Sequence, residues 1–346
     1  MRASVIIRSK DEADRLRLTL RSLARQTAPV EVVIVNDGST DHTKRVIDEA
    51  EKDLSLVQVH NSTPLGRSGA ANVGAERASG DILIFLDGDT LAGPDFVARH
   101  LQTHTQASNL IARGDTYHLR CTRFFADPEI GSPRPGEEKR VANLSEDELA
   151  RMRVTLADVT ERFDWVHERA QLGIYPGAGP RQLFDLEMDA LRSHPDCKVL
   201  WAAASGSNQS VSRDAFLSSR GFHVDITINE HRELALRLCN AGLRMVPAPD
   251  ASSYHLTHRT GWRDPATDIT WEKTFYEAHP IPAVPLLSVF WASLSSPPPF
   301  AKESRILSLP DLEAAALRCE GVTGIENVRQ THFSMANVPA AELTAR

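Results

Sequence analysis

The sequence predicts an α/β domain built on a mostly parallel sheet flanked by helices, and three observations carry that prediction. Within the first hundred residues four short β-branched or apolar runs recur, "SVII" (4–7), "VVIV" (32–35), "SLVQVH" (55–60) and "ILIFL" (82–86). Between them lie segments with helical periodicity, and the second and fourth runs stop at acidic, glycine-containing turns, "NDGST" and "DGDT". Runs of period two or continuous apolarity read as strands, and apolar residues three and four apart read as helices. Strands that alternate with helices imply parallel pairing through right-handed crossovers, hence a Rossmann-like architecture.

In chain order, the first helical segment sets Leu16, Leu20 and Leu23 on one face toward the sheet. The second opens at "GSTDHT", where Ser39, Thr40 or Asp41 is the expected cap, and turns Val46, Ile47 and Ala50 inward. The third, "GRSGAANVGAERAS", is rich in Gly and Ala, which lets a helix approach a sheet or a ligand closely. Beyond about residue 110 the alternation stops. "FFADPEIGSPRPGEEKR" (124–140) reads as a surface excursion, "SEDE" (145–148) as a capping box opening a helix, and "DVTERFDWVHERAQL" as a further helix ending at "YPGAGPR". Core character returns at "VLWAAASGSNQSVSRDAF", followed by the helix "INEHRELALRLCNAGLRM", which Gly242 terminates. After Ser295, "PPPF" reads as a linker to one or two terminal helices. Four segments follow: 1–110, 111–198 as a helical and loop insertion, 199–295 as the second half of the same domain, and 296–346 as a C-terminal extension.

A chain of 346 residues with a formal charge of −7 has a full core and no basic excess to neutralise phosphates, which argues against nucleic acid as the main partner. Cys121, Cys197, Cys239 and Cys319 show no metal or redox spacing and read as free thiols of a reducing compartment. The most apolar later stretch, "IPAVPLLSVFWASL", is broken by Pro282 and Pro285 and too short to span a bilayer. A cytoplasmic location is the expectation, with peripheral membrane contact through that stretch, or packing of Phe290 and Trp291 on a partner in an oligomer, left open.

Ligands of an open parallel sheet collect beyond the carboxyl ends of its strands. Asp87 and Asp89, separated by Gly88, stand at that edge, and two carboxylates so close call for a divalent cation, with Gly88 leaving room for phosphates. The alternative is an ordinary Asp-Gly turn. Asp37, at the end of the second strand, could accept hydrogen bonds from a nucleobase or simply shape a turn, and Arg67 enters a helix where a phosphate- or base-binding arginine would sit.

The combination "SVIIRSKDE", "VEVVIVNDGSTDHT", "AANVGAERASGDILIFLDGDT" resembles the nucleotide-sugar-dependent glycosyltransferases of family 2, which have the GT-A fold. The resemblance implies that Ile7, Arg8 and Glu12 line the nucleotide pocket, Asp37 binds the base, Arg67 and Asn72 flank the nucleotide, and Asp87–Asp89 form the DxD metal and diphosphate motif. It makes residues 1–110 the nucleotide-sugar half and 199–295 the acceptor and catalytic half, with 111–198 shaping the acceptor site. "GSNQSVSRDAF" is similar to the acceptor-side segment and would put Gly206, Ser207 and Asn208 near the donor sugar and acceptor. "INEHREL" matches the family's EDxEL segment with His231 where the general-base Asp is expected. Glu230 is therefore the first choice of base and His231 the second, with Glu233 a supporting residue. In "SSYHLTHRTGW", His255 is implied as a third metal ligand with His258 behind it, and Arg259 and Trp262 as contacts for diphosphate and sugar. Imidazole suits Mn²⁺ better than Mg²⁺, although either is expected as cofactor.

The expected function is metal-dependent inverting transfer of a sugar, from UDP by preference, to an unidentified acceptor hydroxyl. The rival readings are a sugar nucleotidyltransferase, disfavoured by "RSKDEADRL" where a Gly-rich triphosphate loop would stand, and a non-catalytic sugar-nucleotide-binding relative.

Overall fold

The computed structural model of the protein describes residues 1–173, 182–258, 270–295 and 297–336. The four runs form β1 (Ala3–Ser9), β2 (Val30–Asp37), β3 (Ser55–Asn61) and β4 (Ile82–Asp87), paired in parallel in the order β3-β2-β1-β4. Alternate residues feed opposite faces. Val5, Ile7, Val32, Ile34, Ile84 and Leu86 join one cluster, whereas Ile6, Val33, Leu83 and Phe85 join the other, as in a parallel sheet covered on both sides. The first face is covered by α1 (Ala13–Leu23), through Leu16, Leu20 and Leu23, and by α2 (Thr43–Ala50), through Val46 and Ile47. The cap of α2 is His42, one residue beyond the expected set, while Asp41 Oδ1 still accepts from the Thr43 amide at 2.9 Å.

The Gly/Ala-rich segment is α3 (Gly66–Arg77), and its composition is explained by Gly74, where a β-carbon would come within 2.7 Å of Ile6 Cγ2 and 3.1 Å of Val35 Cγ2. After β4 come β5 (Thr90–Ala92), α4 (Phe96–Gln106) and β6 (Leu110–His118). The structure places β6, assigned above to the insertion, in the middle of the sheet. "LIARGDTYH" is interrupted by Gly114 and by the charges of Arg113 and Asp115, so its period was not legible.

The excursion holds the hairpin β7 (Phe125–Asp127) and β8 (Ser132–Pro133), then α5 (Glu138–Ala142), α6 (Glu146–Met152), α7 (Leu156–Glu161), α8 (Phe163–Arg169) and β9 (Gln171–Leu172). Ser145 and Glu148 form the expected capping box. The helix expected over 158–172 is instead two, because the backbone leaves helical geometry at Arg162 (φ −138°, ψ 46°). Val154, Val159 and Val166 of the excursion pack with Leu91, Tyr254 and Leu256, which seats it beside the carboxyl edge of the sheet.

The second half supplies α9 (Gln182–Ser193), β10 (Gln209–Ser212), α10 (Arg213–Ser218), α11 (Glu230–Asn240) and β11 (Arg244–His255). Gly242 (φ +94°) follows the end of α11 as expected. Among the described residues the main sheet has nine strands: β10 inserts antiparallel between β4 and β6, β11 lies parallel to β6, β5 pairs with β11, and β9 with β6. Then come α12 (Thr270–Ala278), α13 (Ala283–Ser293), α14 (Leu309–Arg318) and α15 (Ile325–Ala336). The apolar stretch, for which membrane or partner contact was left open, is α13, buried along nearly all its length, with Phe290 and Trp291 packed into the protein's own core. No helix of the described residues is long and apolar enough to cross a membrane.

Candidate active site

Register brings the site together. Arg8 pairs directly with Asp87 across β1 and β4, so its guanidinium reaches the Asp87 carboxylate at 3.1 Å. His255 pairs with Thr90, and the Leu256 amide donates to the Asp89 carbonyl at 2.9 Å. That docking lays the end of β11 against Asp89 and Thr90, just beyond the end of β4.

Asp89 is buried, and its Oδ2 lies 2.7 Å from His258 Nε2 and 3.4 Å from His255 Nε2. One ligand atom from each of the three lies within 4.8 Å of the others. Burial would raise the Asp89 pKa, but His255 and His258 outweigh it and hold the carboxyl well below the usual range. Burial opposes the charge on His255 as well, and Asp89 overcomes it and raises the imidazole. One carboxylate and two imidazoles form a donor set that suits Mn²⁺ better than Mg²⁺, so the residues present fit the expected cation. Asp87 stands outside this trio: its side chain is 34% exposed and paired with Arg8. Of the expected ligands Asp87, Asp89 and His255, the structure gathers Asp89 and His255 together with His258.

Glu12 packs against Gly88, where any β-carbon would overlap its carboxyl. Burial, then the neighbouring Asp89 and Asp87 carboxylates, push the Glu12 pKa well up.

Glu230 opens α11, and its Oε1 lies 3.5 Å from the same Arg8 nitrogen that holds Asp87. Burial would raise its pKa, but His231, Arg8 and Arg67 prevail and bring it down to about 2, so the carboxylate is ionised. His231 sits with Nδ1 3.8 Å from Glu230 Oε2 and Nε2 3.0 Å from Arg232 Nη1. Burial lowers its pKa, as do Arg232 and Arg8. Glu233 is a supporting residue, gripped by Arg237 at 2.7 and 2.8 Å and by His279 at 2.8 Å.

Other expected contacts lie elsewhere. The Ile7 side chain is in the core under α1, so only its backbone faces the edge. Asn72 is consumed by the Phe222 backbone, donating to its carbonyl at 2.9 Å and accepting from its amide at 2.8 Å. Asn208 is fully buried: Nδ2 donates to the Asp115 and Ala251 carbonyls and to Ser253 Oγ, and Oδ1 meets His100 Nε2 at 2.9 Å, so it ties the sheet together and does not face a ligand. Asp37 accepts from Asn61 Nδ2 and the Leu65 and Gly66 amides at 2.8 to 2.9 Å, shaping the entry to α3, where Arg67 is exposed. Arg259 and Trp262 lie outside the described residues.

Arg232, Glu187 and Arg113 were missed. Glu187 is fully buried and bridges Arg113 Nη1 at 2.7 Å and Arg232 Nη2 at 2.9 Å. Three charges far apart in sequence carry no local signal of such a pairing.

Residues 4–148 match the family described as Glycosyl transferase family 2. Over 116 residues the chain is 35% identical to the uncharacterized glycosyltransferase YfnE of Bacillus subtilis, a match covering 33% of this chain and 30% of that protein. Over 105 residues it is 41% identical to validoxylamine A glucosyltransferase of Streptomyces hygroscopicus subsp. jinggangensis, covering 29% of this chain and 25% of that one. The matched region is thus less than a third of the length of either relative. Among solved structures, S. aureus TarS 1-349 in complex with UDP-GlcNAc superposes with a TM-score of 0.55 at 15% identity, covering 99% of this chain and 78% of that one. This last likeness is one of fold.

Proposed function

We propose that this chain, whose residues 4–148 belong to glycosyltransferase family 2 and whose architecture is the GT-A fold, transfers a sugar with inversion from a nucleotide donor to an acceptor hydroxyl. The observation that carries the proposal is the meeting, at one sheet edge, of the Asp89, His255 and His258 trio with Arg8, which joins Asp87 to Glu230. A divalent cation held by that trio, Mn²⁺ before Mg²⁺, would stabilise charge on the departing diphosphate.

The chain's own residues supply the rest. Arg8 is the shared partner of two carboxylates, and its longer contact, 3.5 Å, is the one to Glu230. When a diphosphate arrives, Arg8 turns toward it, and Glu230 loses a cation that holds its pKa down. The acceptor hydroxyl then gives its proton to Glu230 as its oxygen bonds to the anomeric carbon and the diphosphate leaves from the opposite face. A carboxylate is a weak base toward a hydroxyl, so the proton moves late, once the new bond has acidified the hydroxyl. Asp37 and the loop it shapes are the base-binding end, and UDP is preferred on the strength of the sequence resemblance.

Calorimetric titration of UDP, GDP and their sugars, each with Mn²⁺ and with EDTA, tests this reading. Metal-dependent binding of one nucleotide, lost in Asp89→Ala, is the expected result. Binding of none would overturn it. Pyrophosphate release from a nucleoside triphosphate and a sugar phosphate would favour the nucleotidyltransferase, and donor binding without turnover the binding-only relative.

A further inference from the structure

Beneath Glu230 lies a buried polar chain that the reaction above leaves without a role. Arg232 is 5% exposed, and each of its nitrogens has a partner. Nε donates to the Ala202 carbonyl at 2.7 Å, Nη2 to Glu187 Oε1 at 2.9 Å, and Nη1 to Asn229 Oδ1 at 2.8 Å and to His231 Nε2 at 3.0 Å. The guanidinium also lies 5.1 Å from the centre of the Trp291 ring. Glu187 is held in turn by Arg113, so Arg232 has no freedom to swing away.

A guanidinium has donors and no acceptor, and it stays protonated in proteins. His231 Nε2 must therefore present its lone pair to Arg232. The proton of the neutral ring then resides on Nδ1, which is buried without a hydrogen-bond partner and has Glu230 Oε2 as a neighbouring acceptor at 3.8 Å, beyond hydrogen-bond length. An imidazolium would point Nε2–H at another N–H, so the partner's chemistry fixes both the tautomer and the neutral state. Arg8 from β1 acts against protonation of the ring, Glu230 acts for it, and Arg67 from α3 adds its field at Glu230.

We propose that Arg232 is a positioning residue that fixes His231 as an Nδ1–H donor aimed at the Glu230 carboxylate, so that His231 orients the base and is not the base. The order of roles is the reverse of a serine-protease triad, in which a carboxylate orients a histidine. During transfer the acceptor proton passes to Glu230, and His231 keeps its own. This assignment of roles rests on Glu230 being the base, whereas the tautomer does not.

The two parts are tested separately. ¹⁵N NMR of the full chain labelled at histidine, with His231 identified by its loss in His231→Asn, reads the tautomer without any activity. The expected spectrum has Nδ1 protonated and Nε2 bare, unchanged through its ordinary titration range around pH 6.5. A proton on Nε2 at neutral pH would overturn the proposal. In Arg232→Met, where Glu187 keeps Arg113 as counter-ion, the ring is expected to titrate or to change tautomer. An unchanged ring would show that Arg232 is only structural, and the wild-type spectrum decides the tautomer even if that variant fails to fold. For the role, His231→Asn keeps an N–H near the Nδ1 position and is expected to retain kcat within about tenfold, whereas Glu230→Gln loses roughly 10²–10⁴-fold. Equal losses in the two would make His231 the base and overturn the role. Transfer to no acceptor by the wild type would overturn the glycosyltransferase reading, and the role with it, while the spectrum still decides the tautomer.

Discussion

Asp87 and Asp89 sit one residue apart, yet their surroundings separate them by chemistry. Asp89 faces two imidazoles and is buried, whereas Asp87 faces a guanidinium and is partly open. If the trio is the metal site, Asp89→Ala and His258→Ala each weaken Mn²⁺ binding by at least the ~10–100-fold that loss of an outer partner costs. Asp87→Ala keeps Mn²⁺ and lowers turnover, because Arg8 loses its anchor. Calorimetry with Mn²⁺ alone distinguishes the two classes, and equal loss in Asp87→Ala would remove His258 from its place. At this scale the sequence exposed the acids, because an apolar strand that stops at "DGD" is a local signal. It did not expose which side chains turn outward. Ile7, Asn72 and Asn208 occupy motif positions but point into the core, onto a backbone or into the sheet, and that orientation depends on partners distant along the chain.

Among elements, α4 and β10 are joined by a buried relay. His104 Nε2 meets Ser210 Oγ at 2.8 Å, and Ser210 Oγ meets His100 Nδ1 at 2.8 Å. His100 Nε2 then donates to Asn208 Oδ1, so His100 can accept from Ser210 at Nδ1 only when neutral, while burial without a partner for Nδ1 disfavours charge on His104. Burial is the largest influence on each and lowers the pKa to about 3 for His100 and about 4 for His104. The unfolded rings would titrate near 6.5. The unfolded state therefore binds more protons between pH 6.5 and the folded values, and the stability contributed by the neutral relay, full above 6.5, is lost as pH falls through that window. From pH 6.5 to 4 each ring accounts for about 3 kcal/mol. His104→Gln, which can still donate to Ser210, should give a shallower loss of denaturation free energy between pH 7 and 5 than the wild type, and identical slopes would contradict the relay. Elements of strong local pattern, β1 to β4 with α1 and α2, were legible, because their apolar residues run together or repeat within a short window. The central strand β6 was not, because its place is specified by Asn208, Gln209 and β11 pairing across the chain.

For the whole molecule, the apolar cluster that starts at Ile6, Val33 and Phe85 runs without a break through α11 and α13 to Leu309, Leu312, Cys319 and Val328. The segment after Ser295, read from sequence as an extension, thus completes the core on the side where Arg232 touches Trp291. A polar clamp secures it: Arg329 Nη2 reaches both Glu272 oxygens at 2.6 and 2.7 Å and Ser288 Oγ at 2.7 Å, linking α15 to α12 and α13. Removing one partner of a buried pair leaves the other charge uncompensated. Arg329 keeps 18% of its side chain exposed, so Arg329→Met should cost about 3 kcal/mol, the low end for such a break. Glu272→Gln paired with Arg329→Met should recover part of that loss, since no charge is then left buried. Deleting residues 296–346 uncovers the apolar face of α13 and is expected to give an insoluble chain. Solubility and denaturation curves measure all three, and a truncated chain that unfolds at the wild-type denaturant midpoint would show that residues 1–295 fold without α14 and α15.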